Sequence, residues 1–144
     1  MTKPTVRVFI DTSVLIAGLA SERGASGAVL DLCETGVVEM IISRQVLVEA
    51  DRNLSAKLPA LVDSFRRFIK SLEPLMVEDP PRGLVQKAAK MIHLKDAPIL
   101  AAAQTAQADY LVTLDKKHFL KTRDEMKFSP PVLTPEEFLR ALGF

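Results

Sequence analysis

The chain has a single cysteine, so no disulfide can form within it, and Cys33 falls on the apolar side of a helical pattern in AVLDLCETG, the setting of a small buried hydrophobe. No apolar run approaches the roughly 20 residues of a membrane-spanning helix, because Asp11 interrupts VRVFIDTSVLIAGLA, and no small-residue cleavage site gives that stretch the form of a signal peptide. A soluble, cytoplasmic protein with no membrane partner is the expectation. Neither sign of charge prevails, with 19 Lys and Arg against 18 Asp and Glu, so a nucleic-acid partner has to be argued from local arrangement. Tryptophan is absent and aromatic residues make up 6%, which leaves few platforms for stacked bases. The two histidines, His93 and His118, stand apart in sequence from each other and from Cys33, so no zinc site is expected.

What is present is ample apolar material. With 144 residues and 48% hydrophobic content, residues 1–144 are expected to fold as one domain without disulfides or a structural metal. Three β-branched runs, Val6 to Ile10, Val38 to Ser43 and Asp109 to Leu114, read as strands without a polar face, which suits a parallel sheet covered on both sides. LMVE, beginning at Leu75, reads as a further short strand. Helical spacing falls between them. SGAVLDLCETG stops at Gly36, SRQVLVEADRNL starts from Ser43 as N-cap, and PALVDSFRRFIKSL carries Leu61, Phe65, Phe68, Ile69 and Leu72 on one face. LVQKAAKMI and the Ala-rich APILAAAQTAQA follow, the second with Pro98 in its first turn and Asp96 at or beside its N-cap. Thr134 and Glu137 have the spacing of a capping box ahead of EEFLRALGF. Alternating strands and helices imply right-handed crossovers, hence an α/β fold of three α/β/α layers around a mainly parallel, doubly wound sheet. No repeat, low-complexity tract or linker interrupts it.

The acids are placed informatively. Asp11 and Asp115 directly follow two of the expected strands, at the carboxyl edge where open α/β sheets keep their ligand crevice. Asp96 opens a helix, and Glu49 flanks the apolar stripe of another, where it can lean over the same edge. Carboxylates meeting at about 5 Å repel by roughly 3 kcal/mol per pair at an effective dielectric near 20, so such a cluster must protonate or take a cation. Oxygen-only ligands favour Mg2+ or Mn2+, ions that activate water for in-line attack on a phosphodiester.

FIDTSVLIAGL resembles the opening motif of PIN domains, in which an Asp after the first strand is followed two positions on by a small polar residue, here Ser13. VLVEADRNL, KDAPILAAA and ADYLVTLDKKHF resemble the second, third and fourth motifs of that family, in its order and over nearly the whole chain. The resemblance implies that Asp11, Glu49, Asp96 and Asp115 are the metal-binding, catalytic acids, with Thr12, Ser13 and Thr113 as polar supports. It further implies an endoribonuclease that depends on Mg2+ or Mn2+ and cuts single-stranded RNA, often as a homodimer and as the toxin of a toxin-antitoxin pair with a protein antitoxin as partner. Two departures stand out: Pro98 stiffens the third motif, and no acid occurs from Lys116 to Lys121, where some relatives carry a further carboxylate of a second metal site.

Several acids also have a plainer role open to them, and Glu49 could be an exposed helical residue like most glutamates. Asp96 could simply cap its helix, Asp109 belongs to the opposite edge as a turn or cap residue, and Asp31, Glu34 and Glu39 suit a solvated face or turn. The basic run Lys116, Lys117, His118, Lys121, Arg123 and Lys127 is placed to hold RNA phosphates beside Asp115 or to be solvated loop; Arg66, Arg67 and Lys70 carry the same ambiguity. Three competing functions fit the sequence less well. A haloacid-dehalogenase-like phosphatase needs a second Asp where Ser13 stands, a response-regulator receiver needs paired acids at the first strand, and a non-catalytic PIN-like RNA- or protein-binding module would not need all four acids.

Overall fold

The β-branched runs VRVFI and VEMIIS form strands β1 (Val6–Ile10) and β2 (Val38–Ser43) with the expected bounds, in a computed structural model that describes residues 5–123 and 128–144. Between them lie α1 (Thr12–Ala20) and α2 (Ala25–Glu34), the latter ended by Gly36 at φ 80, a left-handed conformation that suits glycine. Ser43 caps α3 (Arg44–Lys57) by accepting the Val46 N–H at 3.2 Å. A single 3-10 turn leads into α4 (Val62–Leu72), and LMV forms β3 (Leu75–Val77). Then come α5 (Arg82–Ala88), α6 (Ala97–Thr105) and β4 (Tyr110–Val112), followed by a π-helical turn at Lys116–Leu120, α7 (Lys121–Arg123), β5 (Val132–Leu133) and α8 (Pro135–Ala141).

All strand pairs are parallel, in the order β3-β2-β1-β4-β5. The chain builds outward from β1 to β3, then returns across it to β4 and β5. Right-handed crossovers therefore put α1 to α4 on one face and α5 and α6 on the other, and the winding reverses between β1 and β4. Phe9, Ile10, Ile41, Ile42 and Leu111 from the sheet pack with Leu15, Leu54, Phe65, Leu100 and Phe138 from the helices in a continuous core. Cys33 is buried there, and burial pushes its thiol up to about 12, so it is an inert hydrophobe.

Three elements differ from expectation. The β4 strand is shorter than Asp109 to Leu114: Asp109 lies outside it, its carboxylate accepting the Arg7 N–H at 2.8 Å, and beyond Val112 the chain leaves the ladder towards the carboxyl edge. The α1 helix carries no polar face in its sequence, and α2 and α3 pack against it; a Cβ at Gly18 would strike the Leu30 side chain. Two residues in PPVLT were too few for a strand signal, yet Leu111 and Thr113 donate to Pro131 and Leu133 carbonyls, which makes β5.

Candidate functional site

The reversal between β1 and β4 opens the carboxyl edge at Asp11 and Thr113. The Asp11 N–H donates to the Val112 carbonyl at 3.1 Å, which brings the ends of the two strands together. One Asp11 oxygen accepts the Thr12 N–H at 2.8 Å, and the other accepts the hydroxyls of Thr113 at 2.7 Å and Ser13 at 3.3 Å. Those hydroxyls are themselves fixed, since Thr113 Oγ1 accepts the Asp115 N–H at 3.0 Å and Ser13 Oγ the Leu114 N–H at 3.1 Å. Each hydroxyl then keeps its own proton to donate to Asp11. Burial nevertheless pushes the Asp11 carboxyl up from its usual range, against the pull of these donors and with help from the Asp115 charge.

Asp115 caps the π-helical turn, taking the His118 N–H at 3.0 Å on one oxygen and lying 3.2 Å from His118 Nδ1 with the other. Asp96 holds the N-cap position of α6 but makes no capping hydrogen bond, so the simple cap is not its role. Its side chain turns inward. His118 Nδ1 approaches Asp96 Oδ2 to 2.7 Å without hydrogen-bond alignment, and that buried oxygen has no hydrogen-bond partner among the described residues. Burial raises the Asp96 carboxyl to about 6, and the charges of Asp115 and Asp11 add to the effect. Glu49, half-buried on α3, reaches the same place through Thr12, whose hydroxyl lies 3.4 Å from Glu49 Oε2, while Gln45 donates to Oε1 at 3.0 Å.

Asp11, Asp96 and Asp115 are thus electrostatic neighbours, with Glu49 linked through the residue after Asp11. Lys116, Lys117 and Lys121 are exposed just beyond Asp115. Arg123 is not part of a free basic run: it donates to the Val132 carbonyl at 2.9 Å and grips Glu137 at 2.6 and 3.1 Å. Lys127 lies outside the described residues. Arg66 of the second basic strip pairs with Asp51 at 2.9 Å.

Sequence reasoning missed two features. The histidines are not isolated from each other: the His93 and His118 rings stack with centroids 4.5 Å apart, and with Asp96 they bring possible ligand atoms within 4.8 Å of one another. Only the contact of Asp115 with His118 had a local signal, their spacing of three residues, which puts both on one face of a helical turn. The other is a groove of about 270 Å³ beside Glu49, where Arg44 and Arg52 flank that acid on α3.

A sequence model of the PIN domain matches residues 7–117. The chain belongs to the PIN domain family. The structure is similar to PAE2754 from Pyrobaculum aerophilum, with a TM-score of 0.64 at 20% identity over 95% of both chains. VapBC2 from Rickettsia felis, solved bound to a DNA fragment from its promoter, gives 0.61 at 15% identity over 89% of this chain and 97% of that one. VapC20 from Mycobacterium tuberculosis, described as a sarcin-ricin loop cleaving toxin, gives 0.58 at 16% over 85% and 97%. No curated protein sequence matches the chain. At these identities the likeness is one of fold, and it agrees with the three-layer architecture. Among the described residues no helix is long and apolar enough to cross a membrane.

Proposed function

We propose that this PIN domain, as one unit over residues 1–144, is a metal-dependent endoribonuclease acting on single-stranded RNA, with Asp11, Glu49, Asp96 and Asp115 as its catalytic and metal-holding acids. One observation carries the reading. Asp96 Oδ2 is buried beside two further carboxylates and accepts no aligned hydrogen bond, with His118 Nδ1 2.7 Å away but out of line. A buried acceptor without a donor costs roughly 1–3 kcal/mol, and a cation is the group that would satisfy it. The residues therefore fit a hard divalent ion, Mg2+ or Mn2+, bound mainly through carboxylate oxygen.

Such an ion lowers the pKa of a bound water and offsets charge on the leaving oxygen of a phosphodiester. The chain's own contribution is positioning. Thr113 and Ser13 orient the Asp11 carboxylate, Thr12 joins Glu49 to the same edge, and Asp115 is fixed by the turn it caps. Lys116, Lys117 and Lys121 stand where the phosphates of a strand crossing the edge would pass. Resemblance in fold to VapBC2 and to the toxin VapC20 supports a toxin role with a protein antitoxin as partner. The same reading takes the chain to be a cytoplasmic homodimer.

The direct test is cleavage of a mixed single-stranded RNA pool by wild type and Asp96→Asn, with Mg2+, Mn2+ and EDTA in parallel. Products from wild type alone, and only with metal, are expected. RNA bound but uncut in every condition would instead point to a non-catalytic PIN-like RNA-binding module.

A further inference from the structure

We propose that His118 supplies a nitrogen ligand, through Nδ1, to the ion held by Asp96 and Asp115, so that this centre takes a first-row transition ion such as Mn2+ or Co2+ in preference to Mg2+. The inference rests on the metal-site reading above and narrows it to an ion class.

The local geometry distinguishes a ligand from an ion-pair partner. A charged imidazole placed among the acids as a counter-charge would direct its Nδ1 proton at the carboxylate that most needs one. Here Nδ1 is aligned with Asp115 Oδ2 at 3.2 Å, while Asp96 Oδ2, closer at 2.7 Å, is out of alignment and without a partner. One proton on Nδ1 serves only one of the two acids, but one cation serves both acids and the nitrogen. Donor atoms 2.7 and 3.2 Å apart have the spacing that neighbouring ligands of one ion would need. Replacing one oxygen donor with imidazole shifts preference from Mg2+ towards Mn2+ and the later first-row ions.

His93 is a positioning residue in this arrangement. Its Nδ1 accepts the Lys95 N–H at 3.1 Å, so the neutral ring carries its proton on Nε2 and has no free lone pair to offer. Its ring lies against His118 at 4.5 Å and an interplanar angle of 18°, which fixes the plane in which His118 Nδ1 meets the carboxylates. The site therefore has one nitrogen ligand.

The test is pulsed electron paramagnetic resonance of the full chain loaded with Mn2+, alongside titrations with Mn2+ and Mg2+ alone. Wild type should show hyperfine coupling to one directly bound nitrogen, changed by 15N-histidine labelling, which needs no substitution. In His118→Ala and the polar His118→Gln the coupling should vanish. Mn2+ affinity should fall at least roughly tenfold, as for loss of a supporting partner of a ligand, with Mg2+ affinity altered less. His93→Ala should keep the coupling. Tight Mn2+ binding without a nitrogen signal, or a signal that survives in both His118 variants, would overturn the proposal and leave the carboxylate site standing. If wild type binds neither ion, or Asp96→Asn binds them as well as wild type, the metal-site reading fails together with it.

Discussion

Asp96 and Glu137 are both half-shielded acids at the start of a short helix that has a proline in its first turn, yet the fold treats them oppositely. Glu137 receives the Thr134 N–H at 2.8 Å and two bonds from Arg123, and the guanidinium holds its carboxyl down at about 2. Asp96 receives no hydrogen bond on its buried oxygen, and burial with neighbouring negative charge lifts it to about 6. A carboxylate whose donors are all supplied from the chain serves the fold. One whose donors are withheld, at the point where the sheet reverses its winding, is held ready for something from outside.

The comparison breaks most readily at Asp11. Its oxygens are oriented by three donors, and Asp11→Asn keeps the shape while removing the negative charge and turning one acceptor into a donor that faces the Thr113 and Ser13 hydroxyls. Metal-dependent RNA cleavage is expected to fall by at least the roughly 10–100-fold typical even of an outer-shell loss, with the circular dichroism spectrum unchanged. Turnover equal to wild type would place the chemistry elsewhere.

Stability against pH sharpens the same contrast. Asp96 keeps its proton to about pH 6 in the fold but releases it near 3.8 when unfolded, so its ionisation disfavours the fold. In EDTA, stability attributable to Asp96 should decline as pH rises from 3.8 to about 6 and stay low above that. Asp96→Asn should therefore stabilise the metal-free protein at pH 7 by up to about 3 kcal/mol, with the gain gone below pH 4, as read by urea denaturation. A destabilised Asn variant at pH 7 would mean that His118 fully compensates Asp96 in the metal-free state.

Glu137 should behave in reverse. Its contribution is fully present above 4.5 and is lost as pH falls towards about 2. Because the side chain is 35% exposed, the shift is discounted for solvent screening, and Glu137→Gln is expected to cost roughly 1–2 kcal/mol at pH 7 with cleavage unaffected.

The sequence revealed the frame of this site better than its interior. VRVFI and VEMIIS announced β1 and β2 to the residue, because strands buried on both faces need nothing but β-branched apolar side chains. Ser43, Gly36 and the Thr134 and Glu137 capping box were equally legible, since capping is local chemistry. The α1 helix was not, because an almost wholly apolar run shows no helical period, and β5 gains its hydrogen bonds only from β4. At the site, the acids could be aligned by strand ends and motif order. The stacking of His93 on His118, 25 positions later, depends on how the turn before α6 meets the π-helical turn, which no local pattern encodes.

The smallest expected effect concerns Lys116 and Lys117 against Arg123. These residues share one basic stretch in the sequence, but the two lysines are exposed and make no ion pair among the described residues, whereas Arg123 is engaged with Glu137 and Val132. Two phosphate contacts on a single strand contribute about 1.4 to the slope of log affinity against log salt, from roughly 0.7 per contact. Lys116→Ala with Lys117→Ala should lower the slope for single-stranded RNA by about that amount. Arg123→Ala should leave the slope alone and lower the denaturation midpoint instead, because its charge is spent within the fold. An unchanged slope in the double lysine variant would make both lysines solvated surface and move the phosphate path to the other wall of the site, where Arg44 and Arg52 border Glu49.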